Sequence, residues 1–132
     1  MAKIKILLVD DEADLLKLIG ARIKEWGYDL IKATTGKEAV NAVRNKLSDI
    51  VILDYAMPDM DGIATLQKIR EIDDKIAVIM FTAYPNTDAL KWSEKLNVSA
   101  FIPKLSAYSD TTSSLKAAIE MAGKRLDKYR EK

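Results

Sequence analysis

The segment Ile50-Val51-Ile52-Leu53 has no polar position, yet it lies between Asp49 and Asp54. A strand that is apolar at every residue cannot leave one face in water, so both faces must be covered. The pattern recurs: Ile76 to Phe81 is apolar throughout, and Ile4 to Val9 is apolar and β-branched, with Lys3 and Lys5 near its start. Tyr28 to Ala33 and the short Ala100 to Ile102 supply two further strand signals. Helical signals alternate with them. Asp11-Glu12 opens a helix with Leu15, Leu16, Ile19 and Ile23 at helical spacing, closed by Gly27. Thr35-Gly36-Lys37-Glu38 opens a second, with Ala39, Val40 and Val43 inward, and Gly62 to Ile72 is a third, led by Ile63, Leu66 and Ile69. Asn86 to Leu96 and Thr111 to about Lys128 complete the set.

Five strands alternating with five helices imply an α/β fold, a doubly wound parallel sheet with helices on both faces and strand order 2-1-3-4-5. With 132 residues the chain reads as a single domain, its last helix extending past about residue 122. Ligands of such sheets bind beyond the carboxyl ends of the strands. Four sets of polar groups fall there: Asp10 and Asp11 after the first strand, Asp54 after the third, Thr82 after the fourth and Lys104 after the fifth.

Each has an ordinary explanation. Asp10-Asp11 can cap a helix, Asp54 can initiate a turn, Thr82 can simply end a strand and Lys104 can be a solvated surface lysine. None of these explains why all of them share one sheet edge. Three carboxylates a few ångströms apart repel, and a hard divalent cation relieves the repulsion. Magnesium suits the set, since it takes one or two carboxylates together with water and phosphate oxygens. Lys104 offers a point positive charge and Thr82 a hydroxyl donor.

Composition removes competing chemistries. There is no cysteine and no histidine, which excludes disulfides, thiolate nucleophiles and Ser-His or Cys-His catalysis. A phosphate loop of the GxxxxGK[ST] type is absent. Net charge is +1, so no global field draws nucleic acid or an anionic membrane. No apolar run approaches the roughly 20 residues of a membrane span, and the expected location is cytoplasmic. The chemistry left is phosphoryl transfer to a carboxylate, with Asp54 as acceptor.

Leu7-Leu8-Val9-Asp10-Asp11-Glu12, then Ile52-Leu53-Asp54-Tyr55-Ala56-Met57-Pro58-Asp59-Met60-Asp61-Gly62, then Thr82-Ala83, then Lys104 resembles the receiver domain of bacterial two-component response regulators, from Ile4 to about Ala122. The resemblance implies a flavodoxin-like fold and phosphorylation of Asp54 by a histidine kinase or phosphotransfer protein. It implies magnesium held by Asp10, Asp11, Asp54 and the backbone carbonyl of Ala56. Thr82 and Phe101 would form a switch pair that alters the partner-binding face of the fourth helix, fifth strand and fifth helix. It implies a signalling domain, not a turnover enzyme; an aspartyl-intermediate phosphatase needs an aspartate where Ala56 stands. Ala56 and Tyr84 hold positions that tune phosphoryl lifetime, and the bulk of Tyr84 implies slow self-dephosphorylation.

Two departures stand out. Pro103 precedes Lys104, where the family has proline after the lysine. Ser106 to Ser114 is longer and more polar than usual, and reads as a loop or as an early helix start capped by Ser109 or Asp110. Leu126 and Tyr129 continue the pattern of Leu115, Ile119 and Ala122 beyond the domain body, either as a solvated overhang or as a seam for a phosphorylation-dependent homodimer or an output domain. The basic tail is interleaved with Asp127 and Glu131, so no direct nucleic-acid contact is expected. The alternative to a stand-alone regulator is the receiver half of a longer one, such as a transcription factor.

Overall fold

The computed structural model describes residues 3–55, 61–82, 87–103 and 108–130. Among them the chain forms β1 (Lys5–Val9), α1 (Ala13–Glu25), β2 (Asp29–Ala33), α2 (Gly36–Arg44), β3 (Ile50–Leu53), α3 (Gly62–Ile72), β4 (Ala77–Thr82), α4 (Thr87–Lys95), β5 (Ala100–Pro103) and α5 (Tyr108–Arg130). The strands form one parallel sheet in the order β2-β1-β3-β4-β5, as the unbroken apolar strands require.

Successive side chains of each strand feed opposite cores. Leu7, Val9, Val51, Leu53, Val78 and Met80 meet Ala39, Ala42 and Val43 of α2 and Leu66 and Ile69 of α3. Ile6, Leu8, Ile50, Ile52, Ile79 and Phe81 meet Leu16, Ile19 and Ile23 of α1 and Leu115, Ile119 and Ala122 of α5. Every apolar position of β3 is thereby used, which explains the absence of a polar one.

The helix ends follow local rules. Thr35 caps α2 by accepting from the Glu38 N–H at 3.1 Å, while the Glu38 carboxylate accepts from the Thr34 N–H and hydroxyl. Asp61 caps α3 by accepting from the Ala64 N–H at 2.7 Å. Three helices close with the same paired bonds, in which the residue past the cap adopts a left-handed conformation: Gly27 at φ 96°, Lys46 at φ 56° and Asn97 at φ 55°. Lysine is strained there, because its Cβ crowds the following carbonyl. Lys46→Gly is expected to stabilise the domain by about 0.5 kcal/mol, seen as a melting temperature about 2 °C higher. An unchanged or lower value would contradict that reading of the turn.

Several boundaries differ from the sequence expectation: β1 starts at Lys5, β5 runs on to Pro103 and α4 is Thr87–Lys95, and three further shifts have a local cause. β2 starts at Asp29 because the Tyr28 N–H closes α1 on Ile23. β4 is shifted one residue, from Ile76–Phe81 to Ala77–Thr82: the Ile76 N–H is taken by the Asp73 carboxylate, and Thr82 pairs with Pro103. α5 begins at Tyr108, three residues before the expected Thr111, so Ser109 and Asp110 lie within the helix and are not its caps. The polar run Ser109 to Ser114 carries no apolar repeat, yet Thr111 and Leu115, one turn apart, are both buried. No described helix is long and apolar enough to cross a membrane.

Candidate functional site

The two acidic strand tips meet because the parallel ladder continues one residue past β1 and β3. The Asp10 N–H donates to the Ala33 carbonyl at 3.0 Å, and the Asp54 N–H to the Val9 carbonyl at 3.1 Å. These bonds set Asp10 and Asp54 side by side where β1 and β3 adjoin. There the chain winds outward in both directions, which is the switch point of a 2-1-3-4-5 sheet. Asp10 is 1% exposed and Asp54 4%, whereas Asp11 reaches solvent. One carboxylate oxygen from each of Asp10, Asp11 and Asp54 falls within 4.8 Å of the others.

Helix capping does not account for these acids. The α1 cap is Glu12, whose side chain makes no capping bond, and Asp10 Oδ1 instead accepts from the Glu12 N–H at 3.0 Å. That bond turns the chain out of β1 and orients the Asp10 carboxylate. A cation bonded at about 2.1 Å to each oxygen holds adjacent oxygens roughly 3 Å apart and opposite ones roughly 4.2 Å apart, so the three carboxylates would draw together on binding it. The donor set therefore fits a hard divalent ion.

Thr82, the last residue of β4, is fully buried. Phe101 pairs with Met80 and Pro103 with Thr82, so Phe101 and Thr82 point to the same side of the sheet on neighbouring strands. Phe101 is half-buried and packs on the core beneath α2 and α3. Of the other expected site residues, Lys104, Ala56 and Tyr84 lie outside the described residues.

One contributor has no obvious mark in the sequence beyond its place in the motif. A Cβ on Gly62 would stand 2.5 Å from the Asp54 carbonyl oxygen and 2.5 Å from the Tyr55 Cα. Its N–H donates to the Tyr55 carbonyl at 2.6 Å. The first residue of α3 thus lies against the backbone that carries Asp54. The signal available was a glycine just inside a helix start, where no left-handed conformation is needed and close packing is the remaining reason for it. A cavity of about 540 Å³ lies at the opposite sheet edge, among Asp49, Asp73, Ile76, Ser99 and Leu126, away from Asp10, Asp11 and Asp54.

A family model described as response regulator receiver domain matches residues 6–119. The chain belongs to the response regulator receiver family. This receiver domain is 35% identical over 100 residues to sporulation initiation phosphotransferase F of Bacillus subtilis, across 76% of this chain and 81% of that protein. It is 31% identical over 116 residues to the transcriptional regulatory protein ZraR of Escherichia coli, across 88% of this chain and 26% of that protein. The receiver domain thus spans about a quarter of the length of ZraR. A CheY-like receiver structure from Methanospirillum hungatei superposes with a TM-score of 0.83 at 24% identity, over 94% of this chain and 99% of that one, which establishes the shared fold. The non-phosphorylated HemR receiver domain of Leptospira biflexa gives 0.81 at 27% identity, over 89% and 94%.

Proposed function

We propose that this receiver domain accepts a phosphoryl group on Asp54 in a magnesium-dependent reaction and thereby changes its affinity for a protein partner. The observation that carries the reading is the convergence of Asp10, Asp11 and Asp54 within 4.8 Å at the carboxyl edge of the sheet, with Asp54 buried at a strand tip. One Asp54 oxygen bonds to phosphorus as the bond from phosphorus to the donor breaks, and the donor leaves with that electron pair. Asp10, Asp11, Asp54 and the Ala56 carbonyl are the groups assigned to hold magnesium, which when bound offsets charge on the phosphoryl oxygens. Lys104 adds positive charge, and the Thr82 hydroxyl donates to a phosphoryl oxygen. The donor is a histidine kinase or a phosphotransfer protein, and the setting is the cytoplasm.

Drawing Thr82 toward the phosphoryl group vacates space on the side of the sheet that Phe101 shares. Phe101 turning inward would alter the surface of α4, β5 and α5, shifting a population between two states. That surface is assigned to the downstream partner, or to a second copy in a phosphorylated dimer. The domain is read as a switch whose only reactions are its own phosphorylation and dephosphorylation. Intact mass after incubation with magnesium and acetyl phosphate tests this. One added phosphoryl group is expected on the wild type, none on Asp54→Ala, and none when a chelator is present. Phosphorylation of Asp54→Ala to the same extent would overturn the assignment.

A further inference from the structure

We infer that Arg70 is a positioning residue that fixes the carboxyl end of α4, so that a signal reaching Thr82 swings α4 about that end. The inference rests on the phosphorylation reading above.

Arg70 sits in the last turn of α3, and its guanidinium bonds to four backbone carbonyls in two separate segments. Nε donates to Leu96 at 2.8 Å and Nη2 to Asn97 at 3.1 Å, in the turn that ends α4. Nη1 donates to Ile76 at 2.7 Å and to Asp73 at 3.3 Å, in the turn that leads into β4. The planar fork of arginine makes such a tie possible, and the single ammonium of lysine cannot reproduce it. The turn it grips is already set by the left-handed Asn97, whose N–H bonds to Glu94, and by the Val98 N–H bonded to Ser93. Burial lowers the Arg70 pKa, while Asp73 and Asp74 oppose the shift. The group stays charged throughout the physiological range.

The rest of α4 is held lightly. Among the described side chains of α4 the buried ones are Ala89 and Ser93, and the Ser93 hydroxyl is spent on its own helix, donating to the Ala89 carbonyl at 2.7 Å. Trp92 is half-buried and Leu90 is 47% exposed. By contrast α1 buries Leu16, Ile19 and Ile23. Apolar grip scales with buried area, so α4 has little to resist displacement along its length. Its amino end at Thr87 follows Thr82 by five residues, whereas its carboxyl end is bolted through Arg70 to α3 and to the turn that leads into β4. A nine-residue helix is about 13 Å long. A tilt about the Arg70 end therefore moves residues near Asp88 most and Asn97 least.

The test is an amide NMR titration with beryllofluoride and magnesium, beryllofluoride serving as a mimic of the acyl phosphate. In the wild type, shift changes are expected to decline from Asp88 and Leu90 toward Leu96, Asn97 and Val98. In Arg70→Lys, which keeps the charge but not the fork, that gradient is expected to be lost, with Leu96 to Ser99 shifting as much as the amino end. A merely structural role for Arg70 would lower stability and leave the gradient intact, which would overturn the inference. So would a uniform change along α4 in the wild type, a result that needs no variant to fold. If α4 does not respond although Asp54 is phosphorylated in the mass experiment, the pivot alone is wrong. If neither phosphorylation nor any shift is seen, the phosphorylation reading fails and takes the pivot with it.

Discussion

Asp54→Asn is expected to melt higher than the wild type in metal-free buffer, and to lose most of the stabilisation that magnesium gives the wild type. Asp10 and Asp54 are both nearly excluded from water, and their carboxylates lie with that of Asp11 within 4.8 Å. Two unit charges about 5 Å apart repel by about 3 kcal/mol at an effective dielectric constant of about 20. The amide retains only part of the hydrogen bonding of the carboxylate, which reduces the net gain to about 1–2 kcal/mol. Magnesium reverses the order. An ion that binds only the folded state at 100 times its dissociation constant adds about 2.7 kcal/mol. The wild type should therefore rise by roughly 10 °C on saturation, and Asp54→Asn by much less. Thermal melts of both proteins with magnesium and with a chelator check this. A wild-type melting point indifferent to magnesium would remove the cation from the account.

Gly62→Ala is expected to cost about 3 kcal/mol, since overpacking against a rigid wall sits at the upper end of such effects. The wall is backbone: the Asp54 carbonyl and the Tyr55 Cα, each 2.5 Å from the added methyl. Side chains can rotate away from a clash, but here either α3 must lift or the segment after β3 must shift. The second movement displaces Asp54, so the rate of phosphorylation by acetyl phosphate should fall together with stability. A urea denaturation curve and the phosphorylation rate, measured on the same preparation, test both effects. Wild-type stability in this variant would show that Gly62 is not packed as described.

These expectations also mark what the sequence could and could not reveal. Asp10, Asp11 and Asp54 were legible because they stand within two residues of the end of an apolar strand, and the order 2-1-3-4-5 brings the tips of β1 and β3 together. Thr82 was legible as the residue just past a strand and Phe101 as a strand residue, but their shared side of the sheet follows only from the extension of β4 to Thr82 and the pairing of Met80 with Phe101. The start of α5 was hidden, because Thr111 is buried by tertiary contact and no apolar repeat announces it. Arg70 was invisible for a deeper reason. Its partners are main-chain carbonyls of Asp73, Ile76, Leu96 and Asn97, and any residue types at those positions would have offered the same acceptors.

The most direct test of the central claim is where the phosphoryl group resides. An acyl phosphate reduced with borohydride leaves homoserine in place of the aspartate, and peptide mapping by mass spectrometry locates it. After treatment with acetyl phosphate and magnesium, homoserine is expected at position 54 and at no other aspartate. Homoserine at position 10 or 11, with position 54 unmodified, would contradict it.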